Sequence, residues 1–548
     1  MEFGRIPLDD AEGALLAHAV KLPQGPFRKG RVLSAADITA LRDAGIHDVV
    51  VARPGADDDG EDWAAARVAT AATGAHLVAS AAFTGRVNLF ATVPGLVLID
   101  VSRLHALNLV NEAVTIATLP AFAVVEPRQM VATIKVIPFA VPRTVVDRCA
   151  AEAAAGPPLI RIAPFQSLSC SLVQTRLDGT KSAMLDKTTA VTRNRLAALG
   201  CRLDQEFRVA HERDALARVI ADVRLTGSDL VLIAGASAIT DRRDVVPAAI
   251  EQAGGQVRHF GMPVDPGNLL LLADLPVPEP RAARAWIPVL GLPGCARSPT
   301  TNGLDWVLER LAAGLTVTSH DICLMGLGGL LSESQSRPLP RAEATPKVPS
   351  APRIAAIVLA AGQSRRMRGP NKLLIDVGGT PMVARVVEAA LASQAAPVIV
   401  VTGHQQSAVT AALAGRAVTL VHNPAFADGL STSLGAGVAA LPEDIDGVCI
   451  CLGDMPTVPA VVLSRLIAAY NPVEGRTICV PTFDGQRGNP VLWDRRFFAA
   501  MQELRGDSGA RHLIDAYRDQ VCEVSVDDNQ ILFDIDTPES YADVLSRH

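Results

Sequence analysis

Aromatic residues are scarce: Phe, Tyr and Trp make up 4% of the 548 residues. A core with few aromatics relies on Ala, Val and Leu, whose small contacts suit helices layered on sheets. Excess positive charge is also lacking. The net charge is −6, so there is no general pull towards nucleic acid or anionic membranes, and any phosphate must be held by a local site. No run of about 18 apolar residues occurs, and no membrane span is expected. The start, MEFGRIPLDD, is acidic without an apolar segment, so no secretory leader is expected there. The nine cysteines are scattered, and the close pair Cys449 and Cys451 lacks CxxC spacing. A reduced, cytoplasmic setting is the expectation. No internal repeat stands out.

What is present is a well-mixed globular composition, 49% apolar and 20% charged, which argues against disorder. The length implies two to four domains. ESQSRPLPRAEATPKVPSAP (Glu333–Pro352) is rich in Pro, Ser and Ala without a period, and reads as a linker over 333–352. After it, strand-like runs (APVIVVTGH, RAVTLVHN, DGVCICLGD) alternate with helical patterns (PMVARVVEAALAS, VVLSRLIAAY) over 353–548. Residues 156–332 alternate in the same way, with SDLVLIAGAS as a strand and TTAVTRNRLAALG as a helix. The fold expected is α/β: two three-layer α/β/α domains with mainly parallel sheets. Residues 1–155 form an α+β region, with SAADITALRDAGIHDVVVA as helix then strand and RQMVATIKVIPFAV as a half-exposed strand.

LAAGQSRRMRGPNKLL (Leu359–Leu374) leaves an apolar strand and exposes small residues, arginines and a lysine. Ligands of open α/β sheets sit at the carboxyl ends of strands. Small residues at Ala360, Ala361 and Gly362 let backbone N–H groups approach a phosphate. Ser364 adds a hydroxyl, Arg366 a charged fork and Lys372 a point charge. The pattern is neither GxxxxGK[ST], since Met367 stands five residues after Gly362, nor GxGxxG. A solvated basic turn is the alternative.

Other segments add to the loop. CLGDMP ends a strand with Asp454, placed to hold Mg²⁺, which takes one or two carboxylates plus substrate phosphates. FDIDTPESY offers Asp534 and Asp536 as a further carboxylate source; Asp536 or Thr537 could equally cap a helix from Pro538. NPAFADGLSTSLGAG (Asn423–Gly437) brings a helix opened by Ser431, Thr432 and Ser433, either an anion or hydroxyl site or plain capping. RGNPVLW puts Gly488 and Asn489 before another strand.

LAAGxSxRM with a following Lys, VTGH, NPxFxxGLSTSL, LGDMP, RGNPVLW and DIDTPE, in this order, resemble the MobA-like nucleotidyltransferases of molybdenum cofactor biosynthesis over about 353–545. LAAG rather than LAGG resembles the CTP:molybdenum cofactor cytidylyltransferases, with Ala361 as the differing position. Two departures stand out: Arg368 occupies the usual Gly position, with Gly369 one later, and no basic residue lies near Gly435. The resemblance implies attack by the terminal phosphate of molybdopterin on the α-phosphorus of CTP (or GTP), with pyrophosphate leaving. Catalysis is then mainly positioning and charge neutralisation. It implies nucleotide binding by Leu359, Ala360, Ala361, Gly362, Ser364 and Asn423. Arg366, Lys372 and Asp454 become catalytic, Asp454 and Asp536 hold Mg²⁺, and Ser431 and Ser433 meet the pterin. A molybdenum hydroxylase apoenzyme is the implied recipient.

In the front half, IAGASAITDRRDVVPAAIEQAGG, GMPVDPGN, GLPGCARSP and TRLDGTKSAMLDKT resemble the molybdopterin-binding fold of the MoaB/Mog proteins and MoeA molybdenum insertases over about 160–330. This implies pterin contacts at Gly235, Ser237, Asp244, Pro293 and Gly294, with Asp186 and Lys187 in the opening segment. Asp244 can instead be a carboxylate placed for a helix dipole. GASA replaces the family's GGTG or GGVS, and His211 replaces one carboxylate, so pterin binding is a safer expectation than catalysis. IPLDDAEGALLA resembles the opening helix of MoeA. Two other readings stay open: a sugar- or alditol-phosphate nucleotidyltransferase, and a cofactor carrier with a silent transferase domain.

Overall fold

The computed structural model describes residues 1–22, 25–281, 284–331, 351–363, 371–472, 475–506 and 510–535. It is a mixed α/β structure built on several sheets. The linker expected over 333–352 lies outside the described residues except for Ala351 and Pro352.

The C-terminal sheet is organised around Ile354–Ala360, IAAIVLA, every residue of which is buried. A strand buried on both faces reads as a continuous apolar run because helices cover each side. Val398–Thr402 and Gly447–Leu452 flank it, both parallel. Ala356, Val358 and Ala360 share a core with the helices Met382–Leu391 and Ala460–Ala469. Ala355, Ile357 and Leu359 point the other way, towards the helices Leu430–Ala439 and Phe498–Gln502. Thr419–His422 extends one side, and Val491–Asp494 adds an antiparallel strand on the other. Three neighbouring parallel strands thus end on the same side, with their loops together.

The front sheet follows the same logic. Arg202–Ala210, Ser169–Arg176, Leu230–Ala234 and Arg284–Gly291 lie side by side and parallel. Leu271–Arg281 and Gln256–Phe260 close the sheet antiparallel. Leu230, Leu232 and Ala234 pack with the helices Ser182–Ala197 and Gly303–Ala312. Val231 and Ile233 pack with Arg213–Val223 and Val245–Gln252.

The N-terminal region is α+β. The helix Ala35–Asp43 is opened by a capping box between Ser34 and Asp37, then leads to the strand Asp48–Arg53. Met130–Val136 lies between Arg86–Ala91 and Val114–Thr118. Two expectations are corrected here. IPLDDAEGALLA is not an opening helix: it is the end of the strand Glu2–Pro7, a 3-10 turn at Leu8–Asp10 and the short strand Leu15–Leu16. Pro7 and Gly13 break helical continuity, and Gly13, at φ +75°, bonds through its N–H to the Leu33 carbonyl. The region also runs past 155, because Ile160–Pro164 pairs with Gly95–Ile99. It touches both sheets' units: Gln394 Nε2 donates to the Ala79 carbonyl at 3.1 Å, and Ala313 packs on Leu96 and Ala163.

Candidate functional site

At the carboxyl end of Ile354–Ala360 the neighbouring loops are drawn in by glycines. A Cβ on Gly403 would lie 2.6 Å from Phe426 Cβ and 2.8 Å from Ala361 Cβ. That contact lets His404 N–H reach the Ala361 carbonyl at 3.3 Å. Gly453 N–H bonds to the Leu359 carbonyl at 3.0 Å, and a Cβ there would sit 2.8 Å from that oxygen. Asp454 is therefore delivered to the end of the central strand, beside the small residues Ala360 and Ala361.

Lys372 returns the chain to the same place. Asn371 Oδ1 accepts from Leu373 N–H at 3.1 Å and opens the 3-10 turn Lys372–Leu374. The Lys372 side chain is largely buried, and its Nζ donates to Asp454 Oδ2 at 2.6 Å. Ile535 N–H bonds to the Asp454 carbonyl at 3.0 Å, which brings Ile535 to Asp454. Ser364, Arg366 and Asp536 lie outside the described residues. Among the described residues no three His, Cys, Asp or Glu side chains gather as a metal cluster. A single carboxylate of hard oxygens does fit Mg²⁺, which completes its shell with phosphates and water.

Asn423 and the serines are arranged differently from the sequence pattern. Asn423 is buried; its Oδ1 accepts from Ala425 N–H at 3.0 Å, and its Nδ2 donates to Thr432 Oγ1 at 2.9 Å and Ser433 Oγ at 3.0 Å. It braces the loop onto the helix. That helix opens after Gly429, at φ +117°, with no side-chain cap, so serine capping is not what starts it. Ser431 Oγ is buried and has no hydrogen-bond partner among the described residues.

The front sheet carries a cleft of about 200 Å³ at its own carboxyl end. Gly235, Ser237, Pro293 and Gly294 all line it, with Thr188 and Arg297. Arg297 Nη2 donates to the Gly235 carbonyl at 2.8 Å. Its loop is clamped from behind by Arg195, which pairs with Asp305 and donates to the Ala296 carbonyl at 3.0 Å and the Ser298 carbonyl at 3.1 Å. Among the described residues no carboxylate lines the cleft. Asp244 is not in the lining either. Its Oδ2 accepts from Thr240 N–H at 2.6 Å and Asp241 N–H at 2.9 Å, and these backbone donors lower its pKa. Asp244 therefore shapes the loop before its helix. Asp186 pairs with Arg208 at 2.7 Å.

Sequence reasoning missed Arg297 and the bonding of His211. His211 Nδ1 lies 2.8 Å from Thr175 Oγ1, and its Nε2 lies 2.8 Å from Ser237 Oγ. Burial lowers the His211 pKa, against an opposing pull from Asp244. An arginine inside the turn-rich GLPGCARSP was the available signal for the first. Nothing local links Thr175, His211 and Ser237.

Residues 356–521 match the family described as the MobA-like NTP transferase domain, and residues 5–53 match a domain of unknown function. The molybdenum cofactor cytidylyltransferase of Escherichia coli K12 is 27% identical over 199 residues, 36% of this chain and 97% of that protein. The purine catabolism protein PucB of Bacillus subtilis 168 is 29% identical over 204 residues, 35% of this chain and 95% of that one. The bifunctional protein GlmU of Leifsonia xyli is 36% identical over 120 residues, 21% of this chain; the match spans only 25% of that protein. Rv0371c of Mycobacterium tuberculosis, solved in complex with manganese, aligns with 36% of this chain and 100% of its own at 27% identity and a TM-score of 0.31. Residues 356–521 are thus similar to MobA-like NTP transferase domains.

Proposed function

We propose that the chain transfers a nucleotidyl group, CMP from CTP, to the terminal phosphate of molybdopterin in molybdenum cofactor biosynthesis, releasing pyrophosphate. GTP is the alternative donor. The observation that carries this reading is the Lys372–Asp454 pair, 2.6 Å apart at the end of the central strand of the NTP transferase domain. A lysine and a carboxylate held in contact are complementary to what a nucleoside triphosphate brings: phosphate charge for the first, a divalent cation for the second. Mg²⁺ bound at Asp454, with Asp536 as a further ligand, would neutralise charge on the phosphates. Lys372 and Arg366 orient the triphosphate and hold the leaving pyrophosphate. The backbone of Leu359, Ala360, Ala361 and Gly362, with Ser364, receives the nucleotide. Asn423 braces the loop onto the helix that carries Ser431 and Ser433, the segment read as lying towards the pterin.

The attacking phosphate is already a nucleophile, so these residues need only align it and offset charge. Both sheet units are read as three-layer domains, and the front cleft, with Gly235, Ser237, Pro293, Gly294 and Arg297, as a pterin site whose loop Asp244 shapes. Tethering gives a labile cofactor a high effective concentration between sites.

The test is pyrophosphate release by the full chain with Mg²⁺ and molybdenum-loaded molybdopterin, with CTP and GTP in parallel. Release with CTP alone supports the reading. Release with GTP keeps the reaction and changes the base. Tight pterin binding without release from either nucleotide overturns the transferase reading in favour of a carrier.

A further inference from the structure

Three adjacent parallel strands of the front sheet each deliver one polar group to the same end. Ser169–Arg176 carries Thr175, Arg202–Ala210 is followed by His211, and Leu230–Ala234 leads to Ser237. Thr175 is buried, and its Oγ1 also accepts from Ala236 N–H at 2.7 Å, so it is anchored to the loop carrying Ser237. Ser237 is exposed and lines the 200 Å³ cleft. A hydroxyl, an imidazole and a third group orienting that imidazole, all at hydrogen-bond distance, are the requirements of an activated nucleophile.

We propose that the front cleft is a second catalytic site, a serine hydrolase acting on small esters that carry an anionic group. The proposal goes beyond the nucleotidyl transfer reading and does not depend on it. Arg297 is the cation in the lining and sets the preference for an anionic ester. Thr175 is a positioning residue that accepts the Nδ1 proton and leaves Nε2 as base. The Ser237 oxygen attacks the acyl carbon as its proton passes to His211 Nε2. The C–O bond to the alcohol then breaks, and the alcohol leaves with that proton. Water attacks the acyl-serine, gives its proton to His211, and the carboxylic acid leaves as Ser237 regains a proton. Among the charged groups, Asp244 acts on His211 and favours the imidazolium, while burial favours the neutral ring and lowers the pKa.

The full chain is assayed with the p-nitrophenyl monoester of succinate, which carries a carboxylate, and with p-nitrophenyl acetate, which does not. The expected result is faster nitrophenolate release from the anionic ester. Ser237→Ala abolishes it, and His211→Gln lowers it about a hundredfold or more. Thr175→Val lowers kcat with little change in KM, and Thr175→Ser restores it. Arg297→Ala raises KM for the anionic ester alone. A fluorophosphonate should label Ser237, as read by peptide mass spectrometry. Release unchanged by Ser237→Ala, or a label elsewhere or nowhere, overturns the proposal. CTP-dependent pyrophosphate release, followed in the same variants, reports separately on the C-terminal domain.

Discussion

The two sites sit at the carboxyl ends of their two sheets, yet their charged groups are held by opposite means. At the C-terminal site the cation already has its anion: Lys372 rests on Asp454. On the proposed function, ligand entry there replaces one ion pair with two, phosphate on lysine and metal on carboxylate. In the front cleft Arg297 is held by a neutral carbonyl, that of Gly235, and no carboxylate among the described residues lines the pocket. A partly buried ion pair offsets part of its desolvation cost and keeps both groups in place. A guanidinium with spare donors is already poised for an incoming anion. The first arrangement suits a metal-dependent transfer, the second an anionic ligand without a metal.

The sharpest break in this contrast is to remove one half of the C-terminal pair. Lys372→Ala should cut CTP-dependent pyrophosphate release about a hundred- to a thousandfold with the circular dichroism spectrum unchanged. Asp454→Asn should lose a similar factor, and added Mg²⁺ should not restore it. Both variants should still bind pterin in the front cleft; wild-type turnover in either would remove the pair from the chemistry. At the front site, Arg297→Ala should weaken molybdopterin binding roughly tenfold or more, the scale of one lost charge-assisted hydrogen bond, with KM for CTP unaltered. An equal loss at both sites in titration calorimetry would show that the clefts are not independent.

Two smaller effects concern the scaffolds. Gly403→Ala forces a methyl against Phe426 and Ala361, and should cost about 1–3 kcal/mol in denaturant unfolding. A neutral result would show that the loop tolerates displacement. In the front unit, burial, reinforced by Asp305, pushes the Glu309 carboxyl up to about 7 from 4.5. A carboxyl whose folded pKa is raised stabilises fully below its unfolded value, and that contribution is lost as pH rises from about 4.5 through about 7. Glu309→Gln should therefore flatten the decline in thermal stability across that window. An unchanged slope would assign the decline to other groups, such as Glu61, which is also raised to about 7.

Much of the C-terminal domain was legible along the chain. Continuous apolar runs marked the buried strands, and the residues that bear charge follow them directly: Asp454 comes two positions after Leu452. Asn423 was less legible, because a polar residue in a loop reads as a ligand contact until its partners, Ala425, Thr432 and Ser433, are known. The opening segment departs from the helix that its resemblance implies because Glu2–Pro7 pairs with Asp48–Arg53, a strand more than forty residues away. Strand pairing at that distance overrides local preference.

The sequence by itself determined where strands end and which loops carry charge or small residues, since both follow from local hydrophobic pattern and backbone freedom. Only the tertiary structure decided which of those loops meet. Lys372 finds Asp454, and His211 finds Thr175 and Ser237, because neighbouring parallel strands end on one edge. Strand order is set by long-range packing of helices on both faces of a sheet, a cooperative choice that no single segment encodes.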